Sequence, residues 1–145
     1  ARAFPPAANG GREAAQTLMA ATLAREAVDL VVLAGFERIL CDAFFARLGD
    51  VPVINVHPAL LPSFGGPGML GRRVHEAVLA SGASESGVTV HRAQPGTVDE
   101  GEIVVRRRVP VLPGDDPDSL AARVLAEEHV AIVEAIRSLS SPPRG

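Results

Sequence analysis

Tryptophan and tyrosine are absent from this 145-residue chain, and the five phenylalanines bring the aromatic content to only 3%. Proteins that hold unpaired bases need aromatic faces beside a basic groove. A formal net charge of −3, with no basic stripe, removes the other half of that requirement, so nucleic acid is not an expected partner. Cysteine occurs once, at Cys41. No internal disulfide can form, and a reducing, cytoplasmic setting is the expectation. No apolar run approaches the roughly 20 residues that span a bilayer, and no secretory leader is visible. Neither common glycine-rich phosphate loop occurs, and no serine or cysteine sits in a nucleophile elbow. His75 and His91 lack ligand-spaced partners and read as structural residues, and His129 reads as decoration on a helix surface. No metal is therefore expected.

What is present is a globular composition, 47% apolar and 21% charged, long enough for one domain over residues 1–145. Arg12 to Glu26 reads as a helix with a weak apolar stripe at Leu18, Thr22 and Leu23. The continuous apolar run from Asp29 to Gly35 carries the signature of a strand buried on both faces. A short helix is expected from Asp42 to Leu48 and a strand from Val51 to Val56. This alternation implies right-handed β-α-β winding. Residues 62–71 hold four glycines and two prolines, the composition of a mobile loop. A helix follows from Arg72 to Ala80, closed by Gly82. Gly87 to Arg92 and Ile103 to Val111 alternate as strands, with turn residues at 94–97 between them. The last helix opens with Asp116 as its cap and Pro117 at its first position. It runs to about Leu139, with fraying expected from Ser140 to Gly145. The sum is one doubly wound α/β layer with a late hairpin on its edge.

Chemistry concentrates where the run Val51 to Ile54 ends in Asn55-Val56-His57-Pro58. Residues two apart on a strand face the same side, so the Asn55 amide and the His57 imidazole project together from a strand end. That is the edge at which open α/β sheets bind ligands. An imidazole moves protons near neutral pH and an amide polarises a carbonyl, which together suit acyl transfer. Pro58 and Pro62 stiffen the exit, with Leu60 and Leu61 as anchors. Asp99, in the turn Val98-Asp99-Glu100-Gly101, is either a local backbone partner or a carboxylate that orients the imidazole and raises its pKa. Glu128 shares a helix face with Val124, Ile132 and Ile136. It either reaches water at the margin of that stripe or meets an amino group. Arg12 and Arg38 are either solvated or bind an anion.

Four ordered segments carry a resemblance: Leu33-Ala34-Gly35-Phe36-Glu37-Arg38-Ile39-Leu40, Ile54 to Pro62, Gly87-Val88-Thr89-Val90-His91, and Asp99-Glu100-Gly101. They resemble the phosphoribosylglycinamide formyltransferases of the folate-dependent formyltransferase superfamily, over about Arg12 to Leu139. The resemblance implies a Rossmann-like, mostly parallel twisted sheet flanked by helices, with an antiparallel edge hairpin. It implies formyl transfer from 10-formyltetrahydrofolate, as co-substrate, to the amino group of glycinamide ribonucleotide in purine biosynthesis, without a metal. By the same resemblance His57, Asn55 and Asp99 match the catalytic trio, with His57 protonated. Glu37, Arg38, Ile39 and Leu40 match the backbone segment that holds the pterin ring. Arg12, with Asn55, falls on the folate side, and Glu128 on the amine substrate. A homodimer is a possible assembly.

Departures accompany the match. The family's first strand and phosphate-binding loop have no counterpart after Ala1, which implies a chain lacking its N-terminal part. The segment from His91 to Asp99 is one residue longer than the usual pattern, and the loop 62–71 is longer than in many members. The alternatives are a formyltetrahydrofolate deformylase, in which water replaces the amine, and a folate-binding module without turnover. A methionyl-tRNA formyltransferase would need an additional domain for an RNA-binding surface.

Overall fold

The structure is a computed structural model that describes residues 2–140. After a 3₁₀ turn at Pro6–Ala8, the chain forms α1 (Arg12–Arg25), β1 (Val31–Leu33), α2 (Asp42–Leu48), β2 (Val53–His57), α3 (Arg72–Ala80), β3 (Glu85–Arg92), β4 (Ile103–Pro110) and α4 (Pro117–Ser140). The strands make one four-stranded sheet in the order β1-β2-β3-β4.

Alternation along β2 sorts its side chains between two layers. Ile54 and Val56 face α4. They pack with Val88, Val90 and Val105 of the sheet and with Ala131 and Ala135 of the helix. Val53 faces the other way, into a second cluster with Ala20 of α1, Leu40, and Phe44 and Leu48 of α2. A third cluster joins Val78 of α3 to Val109 of β4 and to Leu120 and Val124 of α4. Asn55 and His57 lie on the same side of β2 as Val53, and so emerge beside the α1–α2 layer at the strand's carboxyl end.

The α/β sheet flanked by helices is as expected, but its strand directions differ from a mostly parallel sheet. Among the described strands, β1 and β2 are parallel, while β2–β3 and β3–β4 are antiparallel. The reason lies in the connection. His57 pairs with Thr89 and Ile54 with Arg92, so β3 enters from beyond the carboxyl end of β2. The loop and α3 stay at that end rather than carrying the chain back across a sheet face, as a parallel return requires.

Packing refines two further expectations. β1 is only three residues long and partly buried, with Val32 packed on the α4 side of the sheet and Val31 and Leu33 on the α1–α2 side. Leu18 is 46% exposed. α1 buries Ala15, Gln16 and Ala20 instead, because small side chains let it approach α2 and the Phe44 ring closely. The cap of α4 matches expectation: the Ser119 N–H donates to Asp116 Oδ1 at 2.8 Å, and the Asp116 N–H donates back to Ser119 Oγ at 3.0 Å. That helix continues through Ser140, and the fraying expected over 141–145 falls outside the described residues. Among the described residues no helix is long and apolar enough to cross a membrane.

Candidate active site

Cross-strand register assembles the site. His57 lies opposite Thr89, and Asn55 opposite His91. Thr89 is fully buried. Its hydroxyl donates to the Ala59 carbonyl at 2.7 Å and accepts the Leu61 N–H at 3.0 Å, pinning the turn that follows His57. Arg106, the register partner of Thr89 on β4, donates to the Leu61 carbonyl at 2.6 Å. The mount inferred from Leu60 and Leu61 is thus real, and its fastening is a polar staple from two further strands.

Asp99 reaches this row from the connection between β3 and β4. It is held in the left-handed region at φ +59°, a conformation aspartate tolerates better than most residues. Two residues on, a Cβ at Gly101 would lie 1.8 Å from the Arg92 carbonyl oxygen. Only glycine lets the two backbones approach so closely, which explains the Asp-x-Gly pattern. The Asp99 carboxylate points into the row. Asp99 Oδ2 lies 3.5 Å from His57 Nδ1, and Oδ1 lies 3.2 Å from His91 Nε2 and 3.5 Å from Asn55 Nδ2. The Gly66 N–H donates to Oδ2 at 2.9 Å. On the far side of the imidazole, His57 Nε2 donates to the Phe64 carbonyl at 2.7 Å. Phe64 is itself left-handed, at φ +56°. The loop at 62–71 therefore touches both His57 and Asp99 through its backbone.

These surroundings set the charges. Burial pushes the His57 pKa down, and this outweighs the upward pull of Asp99 and of the Phe64 carbonyl; His91 lowers it further. Burial thus works against the protonated His57 expected from the sequence, because the ring has lost more hydration than one carboxylate restores, while each ring nitrogen faces an acceptor, the Phe64 carbonyl at Nε2 and Asp99 at Nδ1. Asp99 is pushed up by burial, but the hydrogen bond with His91, the nearby His57 and the Gly66 N–H together hold it below the ordinary carboxylate value. Glu128 goes the other way, raised by burial with a small opposing effect of His129.

A cleft of about 480 Å³ opens over this row. Arg12 of α1, the segment Glu37, Arg38, Ile39 and Leu40, the residues Asn55, His57 and Asp99, and Glu128 of α4 all line it. Every site residue expected from the sequence is thus on one cavity. Two more line it that sequence reasoning set aside as structural, His75 and His91. His91 is signalled only by its register opposite Asn55, which is invisible until the strands are paired. His75, on α3, is 5% exposed. Burial lowers its pKa, with the charge of His57 acting in the same direction. Its Nδ1 has no hydrogen-bond partner among the described residues. Those residues include no cluster of three or more histidine, cysteine or acidic side chains that would hold a metal ion.

A family model described as formyl transferase matches residues 2–136. The chain belongs to the formyl transferase family. Within it, the chain is 41% identical over 136 residues to a chloroplastic phosphoribosylglycinamide formyltransferase of Vigna unguiculata, covering 94% of this chain and 43% of that protein. Against the phosphoribosylglycinamide formyltransferase of Mycobacterium tuberculosis the identity is 44%, over 86% of this chain and 54% of the relative. The crystal structure of glycinamide ribonucleotide transformylase 1 from Symbiobacterium toebii superposes with a TM-score of 0.81 at 39% identity, covering 91% of this chain and 59% of that one. The formyl transferase chain described here thus spans about half the length of these relatives.

Proposed function

We propose that the cleft transfers a formyl group from 10-formyltetrahydrofolate to the primary amine of glycinamide ribonucleotide. The single observation that carries this reading is that the row Asn55, His57 and Asp99 lines one cleft together with the 37–40 segment and Glu128. The pterin lies along residues 37–40, with Arg12 and Arg38 toward the anionic tail of the folate. Glu128 faces the amine. A carboxylate whose charge is disfavoured by burial gains most from a cationic partner, and this favours an amine acceptor over water.

The amine nitrogen attacks the formyl carbon and forms a tetrahedral intermediate with charge on oxygen. The Asn55 side-chain N–H groups stabilise that charge. Neutral His57 accepts the proton from the attacking nitrogen and returns it to the departing folate nitrogen as the bond to the formyl carbon breaks. The Nε2–H stays hydrogen-bonded to the Phe64 carbonyl, so the transferred proton is carried on Nδ1, and ionised Asp99, 3.5 Å from Nδ1, stabilises the imidazolium that forms between the two transfers.

The test is to supply both substrates to the full chain and follow tetrahydrofolate release. Turnover should require the amine and should fall about 10²–10⁴-fold in His57→Ala, the usual worth of a general acid–base group. A loss below about tenfold would remove His57 from the proton path, and release with water alone would make the chain a deformylase.

A further inference from the structure

Gln16 is 5% exposed and lies one turn after Arg12 on the buried face of α1. Its side-chain amide makes two hydrogen bonds, both to one short stretch of backbone. Nε2 donates to the Ile39 carbonyl at 3.0 Å, and Oε1 accepts the Cys41 N–H at 2.7 Å. Those two groups flank Leu40. A residue in a parallel β-ladder bonds its neighbour in this way, donating to the carbonyl before the facing residue and accepting from the N–H after it. The Gln16 amide therefore acts as one rung of an absent strand. Cys41 is extended, with φ −81° and ψ 159°.

Ladder geometry has a consequence for Leu40. In an extended chain the N–H and C=O of one residue point opposite to those of its neighbours. With the groups of 39 and 41 turned toward α1, those of Leu40 turn away from it. Leu40 lines the cleft. Among the described residues, no hydrogen bond uses its N–H or its C=O. A paired donor and acceptor on consecutive backbone atoms suits the edge of a flat heterocycle that carries an acceptor beside a donor.

We infer that Gln16 is a positioning residue for the heterocycle-binding backbone at Leu40, holding its N–H and C=O toward the cleft through bonds to Ile39 and Cys41. This rests on the folate reading proposed above. Gln16 itself touches no substrate.

The protonation state of a glutamate gives the sharpest test. A protonated carboxyl at position 16 keeps one donor and one acceptor in the same shape as the amide, whereas a carboxylate has no donor for the Ile39 carbonyl. Folate binding and steady-state kinetics are measured for the full chain as wild type, Gln16→Glu and Gln16→Leu, at pH 8 and pH 6, with unfolding midpoints alongside. Loss of one such buried hydrogen bond corresponds to about tenfold in affinity. Gln16→Glu should therefore bind folate about tenfold more weakly than wild type at pH 8 and recover to near wild type at pH 6, where burial keeps its carboxyl protonated. Gln16→Leu should be weak at both. In each, the KM for folate should rise while the KM for the amine and kcat at saturating folate stay close to wild type.

Gln16→Glu and Gln16→Leu that match wild type in folate affinity would overturn the assignment. So would a Gln16→Glu loss that is the same at pH 6 and pH 8, or losses in either variant that fall equally on the two substrates, since those are the marks of a residue that only supports the fold. Wild-type chain that binds no folate at either pH would overturn the folate reading itself, and the role of Gln16 with it.

Discussion

Glu128 stands half-buried at the cleft with its carboxyl pushed up by the loss of water around it. Its ionised form carries a penalty that His129 offsets only in part until a cation arrives, so binding and folding make opposite demands on this side chain. Glu128→Gln removes the charge and keeps the shape. It should raise the unfolding midpoint at pH 7.5 and, in the same preparation, raise the KM for the amine substrate while leaving folate affinity unchanged. Differential scanning calorimetry and steady-state kinetics report the two effects separately; a lowered midpoint would show that the carboxylate has a stabilising partner. The neighbouring logic applies at Gly101. A methyl group there meets the Arg92 carbonyl at a distance no real Cβ tolerates, so Gly101→Ala must displace the turn that carries Asp99. The expected cost is at least about 2 kcal/mol, in the upper range for single substitutions, together with loss of turnover. Denaturant titration and the formyl-transfer assay check it, and full activity in the variant would mean that Asp99 is aimed by something other than this close approach.

At the scale of elements, α4 shows how a sequence signal becomes a structural part. Asp116, Pro117 and Ser119 start the helix through reciprocal bonds, and the helix then lays Val124, Ala131 and Ala135 against the sheet and α3. Asp116→Ala should cost about 0.5–2 kcal/mol, the usual worth of such a cap, without changing folate affinity, because the cap lies outside the cleft-lining residues. Equilibrium unfolding in urea measures the first and a binding titration the second. Signals of this local kind made the helices legible: α2 and α3, which have no side-chain cap, still begin and end where glycine and apolar spacing place them. The same holds for Asn55 and His57, whose common direction follows from strand alternation alone. The parallel β1–β2 pair and the β3–β4 hairpin were legible, but the direction of β3 against β2 was not, because its antiparallel entry is set by where the loop and α3 travel. That is a long-range outcome of packing α3 on α4 and β4. His91 was missed for the same reason, since its part in the site depends on register rather than on its neighbours in sequence. The downward push on the His57 pKa was not legible, because a carboxylate partner is visible in sequence, whereas the depth of burial that outweighs it is not.

For the molecule as a whole, acid is the expected weak point, and the sign follows from the buried imidazoles. His57 and His75 both titrate below the ordinary 6.5 in the folded chain. As pH falls through 6.5 the unfolded chain binds protons at these positions before the folded chain does, so the equilibrium moves toward unfolding. Their contribution is complete above about pH 6.5 and is lost as pH drops toward their folded values. Asp99 acts in the same sense further down, because its folded pKa lies below 3.8; its contribution is present above that value and fades as pH falls through the folded one. Glu128 opposes them, since its folded form takes up a proton above 4.5, before the unfolded one does. It is one raised group against two depressed imidazoles, and the imidazoles titrate nearest neutrality. The urea midpoint should therefore be lower at pH 5.5 than at pH 7.5. Replacing His75, whose enclosed Nδ1 has no partner among the described residues to lose, with a glutamine should flatten that dependence without abolishing it. A midpoint that holds steady or climbs between pH 7.5 and 5.5 would mean that the Asp99 carboxylate, rather than burial, governs the charge of His57, and would return to the protonated imidazole as the resting form of the site.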